Sequence, residues 1–268
     1  MVEMPTDQRR LLIQFDLYLR FVHQIASSAS FSGSIGYRIP YAIFVSLLNR
    51  ARAVSALFAT GYVQEADPIV RSMISAAANL LIIVSRPDPD GFALMYYLHI
   101  EDLALFRTNR LEEAGVVGSA TADRMRQEIR QAAAPHRAAA DAAGMKQPAK
   151  LGSKKDTWTG LTDEQLMKEV GADRWYASYY RHMSSGVHAD ASTIGPDILA
   201  LVNGEAAVGP RYREPLAALR VSVEVMHGAM LAFHKHFRAG DLTLIDQAKT
   251  AVDRAIQEYI AAAGLDVS

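Results

Sequence analysis

The chain has 268 residues, half of them hydrophobic, with 28 basic and 29 acidic side chains, a formal net charge of −1 and no cysteine. That length can bury a substantial core in one large domain or two small ones, and the apolar content is too high for a disordered chain. Near-neutral charge supplies no global field to draw in nucleic acid or an anionic membrane, and the missing cysteines exclude disulfides, thiolate catalysis and cysteine-ligated metal sites.

Residues Thr6 to about Ser28 read as an amphipathic helix. Leu11, Leu12, Phe15, Leu19, Val22 and Ile25 keep near-helical spacing, and His23, beside that stripe, is expected to be a hydrogen-bonded structural histidine. SFSGSIGYRIP interrupts the pattern, and a second helix is expected from about Tyr41 to Thr60, stopping at Gly61. A third starts near Glu65 to Pro68, where acids and a proline suit a first turn. It continues through IVRSMISAAANLLIIVS, in which Ser75, Ala76, Ala77 and Ala78 let another backbone approach. Arg71 and Asn79 are polar positions in that apolar stretch, so burying them requires partners. After PDPDG a long helix covers about Gly91 to Glu113, carrying His99, Glu101 and Asp102.

Ser119 to about Ala143 reads as a charged, alanine-rich helix that Pro135 should kink or break. A mobile basic connector follows at about 144–157, with Lys146, Lys150, Lys154 and Lys155 among glycine and proline. Thr162, Asp163 and Gln165 offer cap chemistry for a short helix ending at Gly171. TIGPDILALVNGEAAVGP allows a short helix or a small hairpin. Two long helices close the chain, about Glu214 to Arg238 and Leu242 to about Ala263. In the last, Leu244, Ala248, Val252, Ile256 and Ile260 lie on or near one face. With no alternating strand series, the expectation is an all-α, multi-helix bundle with long antiparallel helices in a single domain, 1–268. The N-terminal MVEMPTDQRRLL lacks the pattern of a signal peptide, and the longest strongly apolar run, near Ala76 to Val84, is too short to span a bilayer. A cytoplasmic protein without membrane contact is expected.

The stretch richest in reactive side chains is Asp173 to Asp190, DRWYASYYRHMSSGVHAD. Tyr176, Tyr180, Ser184 and His188 recur every four residues, and Arg181 precedes His188 by seven. On an α-helix seven residues return to within about 20° of the start, so Arg181, Ser184, Ser185 and His188 share a face. A permanent cation, two hydroxyls and a titratable imidazole suit phosphate chemistry. They equally suit a buried hydrogen-bond ladder in which Arg181 pairs with Glu101 or Asp102.

Two segments carry a resemblance. GYVQEADPIVRSMISAAANL (61–80), followed by Trp158 and the segment from Thr159 to His188, is similar to a large uncharacterised bacterial family, a domain of unknown function. Its pattern reads G-Y-x-x-E-A-x-x-I-x-R-S-x-x-E-x-x-x-N, a tryptophan, then Y-x-x-x-Y-x-x-x-S-x-x-x-H. This chain departs from it at Ser75, where the pattern has glutamate. If that carboxylate pairs with the arginine or histidine in relatives, the site here is altered. The second motif also resembles the HEPN-type signature, with Arg181-His182 followed by His188.

The HEPN resemblance implies metal-independent ribonuclease chemistry, association with phage defence or stress, and a homodimer. It equally accommodates non-catalytic binding modules. In the nuclease reading His188 is the general base on a ribose 2′-hydroxyl, Arg181 holds phosphate, and His182 serves as second acid or phosphate contact. Ser184, Ser185, Tyr176, Tyr180, Arg71, Asn79 and Glu101 support it, with RNA as the partner and neither cofactor nor metal required. The competing readings are a non-enzymatic helical interaction or scaffold module and a metal-binding bundle. The last rests on Glu224 with His227 and on His99 near Glu101, which is half a di-iron signature, whereas His234 and His236, two apart, point to different sides of a helix and make a poor chelate. No phosphate-cradling G-x-x-x-x-G-K-[ST] or G-x-G-x-x-G motif is present, so no nucleotide cofactor is expected.

Overall fold

The structure is a computed structural model that describes residues 4–29, 33–63, 65–145, 158–180 and 216–263. The described residues form nine helices and no strand, so the all-α expectation holds. They are α1 (Thr6–Ser28), α2 (Ile35–Thr60), α3 (Ala66–Ser85), α4 (Pro89–Glu113), α5 (Ser119–Ala142), α6 (Asp163–Glu169), the single turn α7 (Asp173–Trp175), α8 (Leu216–Phe237) and α9 (Leu242–Ala263). Between α7 and α8 the described chain ends in a π-helical turn, Tyr176–Tyr180.

The bundle is organised on the α2–α3 hairpin. Gly61 ends α2 in the left-handed region, φ 81°, a conformation that costs a glycine little. The amides of Gly61 and Tyr62 then close on the carbonyls of Phe58 and Leu57 at 3.1 and 2.9 Å. This turn lays α3 back along α2, and α8 packs against both. Phe44 and Phe233 stack at 4.2 Å in the resulting core, both fully buried. On one side α1 packs on α2 and carries α9 beneath it. On the other α4 packs on α2 and α3, and α5 leans on α4. One apolar core joins α1, α2, α3, α8 and α9, and a small cluster of Leu94, Leu98 and Ala140 stands apart from it, between α4 and α5.

Several boundaries move for physical reasons. Helix α2 starts at Ile35, ahead of the expected Tyr41, and carries Pro40 inside it. Proline removes the amide that would bond to the Gly36 carbonyl four residues back. The Nε2 of His236 on α8 donates to that carbonyl instead, at 3.0 Å. The Gly36 amide, orphaned in the first turn, donates to Asp90 on α4 at 2.6 Å. Helix α4 starts two residues early because Asp88 caps it by accepting from the Gly91 amide, with Pro89 at the first position. Helix α5 runs on through Pro135, because that residue and Gln131, whose carbonyl loses its partner, are both exposed to water. His23 is exposed on α1. On α9, Leu244 is exposed and Ile245 takes the inward place. The basic connector from Lys146 onward and the segment 193–210 lie outside the described residues.

The expectation of a cytoplasmic chain is overturned. Helices α2, α3 and α8 are each long and apolar enough to cross a membrane, which points to a membrane protein. The run from Ala76 to Val84 misled because it is only the C-terminal half of a longer apolar element. Helix α3 has 20 residues, and at 1.5 Å each it spans about 30 Å, the hydrocarbon thickness of a bilayer.

Candidate functional site

One flank of α3 carries the site. Val70, Met73, Ile74, Ala77 and Ala78 turn into the core, which leaves Arg71, Ser75 and Asn79, spaced by four, on a half-buried strip beside it. Such a strip needs polar partners, and the segment 158–180 supplies them.

Trp158 is buried, with its indole edge against the rings of Phe92 and Tyr96 on α4, at 6.2 and 5.3 Å between centroids. Its Nε1–H donates to Asn79 Oδ1 at 2.8 Å. Indole nitrogen only donates, so this bond fixes the amide and turns the two Nδ2 hydrogens of Asn79 the other way. Thr162 then caps α6 in a reciprocal box, accepting from the Gln165 amide at 3.2 Å while Gln165 Oε1 accepts from the Thr162 amide at 3.0 Å. The box sets Asp163 at the first position of α6, where its carboxylate accepts from the Tyr180 hydroxyl. Trp175 braces the turn from behind, against α8 at Gly228, where a Cβ would come within 3.0 Å of the indole and force it aside.

The π turn changes the motif's geometry. Tyr176 and Tyr180 are spaced for an α-helix, but the backbone here winds wider, and their rings stack at 5.5 Å. Single π turns are rare and recur at functional sites. The Arg71 guanidinium lies over the Tyr180 ring, 4.8 Å from its centroid, with Nη2 3.5 Å from the hydroxyl. Ser75 also bonds to that hydroxyl. Burial first, and then the bond to Asp163, push the Tyr180 pKa above its ordinary value, against the opposing pull of Ser75 and Arg71. The phenol is therefore a protonated donor at neutral pH.

These side chains border a cavity of about 440 Å³. Arg50 of α2 faces it from the other wall, with Nη1 bonded to Ser46 at 2.6 Å. Tyr96 and Ser72 complete the polar lining. Burial raises the Tyr96 pKa, opposed by the neighbouring Arg50 charge. Two guanidiniums line the cavity and no carboxylate does, among the described residues. No described carboxylate forms an ion pair with Arg71, whose Nε is buried without a hydrogen-bond partner.

Of the sequence candidates, the structure brings Arg71, Asn79, Tyr176 and Tyr180 into one cluster. Glu101 stands elsewhere, buried between α4 and α5 beside Tyr97, His136 and Arg137, and Asp102 is taken by Arg137 at 2.5 Å. Arg181, His182, Ser184, Ser185 and His188 lie outside the described residues. Arg50 and Asp163 were missed as site residues. Arg50 is one of three arginines on α2, with Arg38 and Arg52, and only its convergence with Arg71 in space marks it. The histidines weighed as metal ligands have other partners. His234 Nδ1 donates to the Ala239 carbonyl at 2.7 Å, His236 serves Gly36, and His227 lies 3.6 Å from Asp246, while Glu224 meets Arg220 at 3.4 Å. Among the described residues no three candidate ligands converge on a metal position.

The fold and site thus define an all-α bundle with a cationic, hydroxyl-rich cavity where its motif segment packs on α3. Over residues 37–204, which include Arg50, Arg71, Asn79, Trp158, Tyr180 and the stretch to His188, the chain matches the family of unknown function DUF5677, and it belongs to that family. Neither curated proteins nor solved structures give a match.

Proposed function

We propose that this chain is a HEPN-like protein that binds and processes RNA by metal-independent transesterification, in a phage-defence or stress setting and as a homodimer. In this reading His188 takes the proton of a ribose 2′-hydroxyl. The 2′-oxygen attacks the adjacent phosphorus, a 2′,3′-cyclic phosphate forms, and the 5′-oxygen leaves with a proton from the second acid, His182, of the same chain or its partner. Arg181 stabilises the charge gathering on the phosphoryl oxygens, and Ser184 and Ser185 orient the imidazole or bind phosphate.

The observation that supports this reading is the anchoring of Tyr180, the residue before Arg181 in sequence. It is held by Asp163, Ser75 and Arg71 at the rim of a cavity with two guanidiniums and no described carboxylate. The stacked rings of Tyr176 and Tyr180 are of the type that bases stack on. The test incubates the full chain, in mild detergent, with mixed RNA in EDTA. Cleavage to cyclic-phosphate ends, lost in His188→Ala and Arg181→Ala with unchanged helicity, is expected. Intact RNA with wild-type protein overturns the reading.

A second reading is favoured by the same network seen as closed. Tyr180 to Asp163, Trp158 to Asn79 and the Tyr176–Tyr180 stack together fix the motif turn on α3, as a structural ladder in a non-enzymatic interaction module does. Absence of cleavage together with a large loss of melting temperature in His188→Ala supports it.

A further inference from the structure

We infer that the cavity between α2, α3 and Tyr180 is a binding site for a phosphoryl group, with Arg50 and Arg71 as its two cationic arms. The inference deepens the reading above by naming the ligand chemistry of that site, and it concerns binding alone.

Four of the lining groups have a determined polarity. Arg71 offers a guanidinium whose Nε has no hydrogen-bond partner, with no described carboxylate paired to it. Its stacking on Tyr180 leaves the in-plane N–H groups directed outward from the ring contact. Arg50 uses Nη1 on Ser46, a neutral partner, so its charge is not cancelled there. Asn79 has its oxygen committed to Trp158 and presents N–H donors. Ser72 donates to the Ile69 carbonyl at 2.7 Å, which leaves its oxygen lone pairs for another donor. Among the described residues no carboxylate lines the cavity, and that of Asp163 is turned to the Tyr180 hydroxyl.

A half-buried cavity with two positive charges and several donors is complemented by a compact polyanion with several acceptor oxygens. Planar guanidiniums bind phosphate, like carboxylate, in paired hydrogen bonds, and a phosphoryl group brings the double charge and three acceptor oxygens that answer two such forks. The volume of about 440 Å³ falls within the range of roughly 300–1,000 Å³ typical of small-molecule pockets, large enough for a phosphoryl group with an attached organic moiety. The setting agrees. Arg50 and Arg71 lie on two helices apolar enough to cross a membrane. Ionisable groups on such helices turn toward a cavity or one another and mark ligand paths. The phosphoryl group comes from a soluble phosphate ester or from a lipid headgroup.

The test is titration of the full chain with inorganic phosphate at constant ionic strength, followed by calorimetry. The same protein is then titrated with adenosine 5′-monophosphate, and with vesicles of phosphatidylcholine with or without phosphatidic acid. Saturable phosphate binding at one site per chain is expected, weakened at least tenfold by Arg71→Gln and by Arg50→Gln. Ser75→Glu places a carboxylate beside Arg71 and is expected to abolish binding without lowering the melting temperature. That variant keeps the test decisive if the arginine variants fold poorly. Tighter binding of the nucleotide than of phosphate assigns a soluble ester. Phosphatidic-acid binding that phosphate competes away assigns a lipid headgroup. No saturable phosphate binding, or binding indifferent to all three substitutions, overturns the inference. RNA cleavage measured on the same samples separates the two proposals. Cleavage without phosphate binding removes only this inference, and phosphate binding without cleavage removes only the nuclease.

Discussion

Two polar clusters among the described residues differ in how their cations are matched. On the α4–α5 hairpin the inward arginines meet carboxylates. Arg126 bonds to Glu112 and Asp123 at 2.6 and 2.8 Å, and Arg137 to Asp102. On the α3 flank Arg71 meets a tyrosine ring and hydroxyl, while the carboxylate within reach of that tyrosine, Asp163, is held by it. The first arrangement cancels charge and fastens one helix to another. The second leaves cations facing a cavity. Two arginines are engaged in each place, Arg126 and Arg137 in one and Arg50 and Arg71 in the other, so residue type alone does not separate a fastening from a site; what separates them is whether each charge is answered locally.

Trp158 touches both regions, bonding to Asn79 on α3 and packing against Phe92 and Tyr96 on α4. Trp158→Ala is therefore the sharpest way to break the comparison. It is expected to cost about 3–5 kcal/mol in chemical denaturation, as truncation of a buried aromatic does. It should also uncouple the α3 flank first, seen as faster hydrogen exchange in α6 than in α5. A loss below about 1 kcal/mol would show that α6 and the π turn are held by other contacts.

Much of the bundle was legible in the sequence because helix signals are local. The 3.6-residue stripes gave α1, α8 and α9 to within a residue or two, and Gly61 and the Thr162 box mark ends by chemistry that acts over four residues. Some of the misreadings depend on distant partners. Helix α2 begins early because Asp90 and His236, far along the chain, satisfy its first turn. The membrane-length character of α3 was hidden by Arg71, Ser72 and Ser75, which precede the apolar run, although Arg71 and Ser75 turn to a cavity. Within the site, Arg71, Asn79, Tyr176 and Tyr180 were readable as polar residues on apolar helical spacing. Arg50 and Asp163 were not, since nothing in their own neighbourhoods sets them apart. The ladder's expected α-helical pitch also fails at 176–180, where the π turn widens it.

Tyr180→Phe sharpens the comparison more gently. The ring remains under Arg71, but the bond to exposed Asp163 is lost, and the loss is expected to be about 1 kcal/mol. Freed of the phenol, Asp163 becomes available to the arginine, so phosphate titration of this variant should show weaker binding than wild type. Unchanged affinity would mean that Asp163 does not approach Arg71 even when released.

The smallest effect belongs to the other cluster and has a definite sign. Glu101 is buried between α4 and α5, in loose contact with Tyr97, and neither carboxylate oxygen has a well-formed hydrogen bond among the described residues. Burial raises its pKa above the ordinary 4.5, against the lowering pull of Tyr97, Arg137 and His136. A carboxyl whose folded pKa is raised holds its proton more tightly in the folded state. Its contribution to stability is then complete below pH 4.5 and is lost as pH rises through the folded value. At neutral pH the ionised group is a burden, relieved in part by Arg137. Glu101→Gln keeps the shape and removes the charge, so melting temperatures of variant and wild type should coincide near pH 4 and separate by about 1–3 °C in favour of the variant at pH 7. A variant less stable than wild type at pH 7 would mean that ionised Glu101 is held by Arg137 as firmly as Asp102 is. The α4–α5 cluster would then be matched throughout, and the contrast with the α3 flank would be complete.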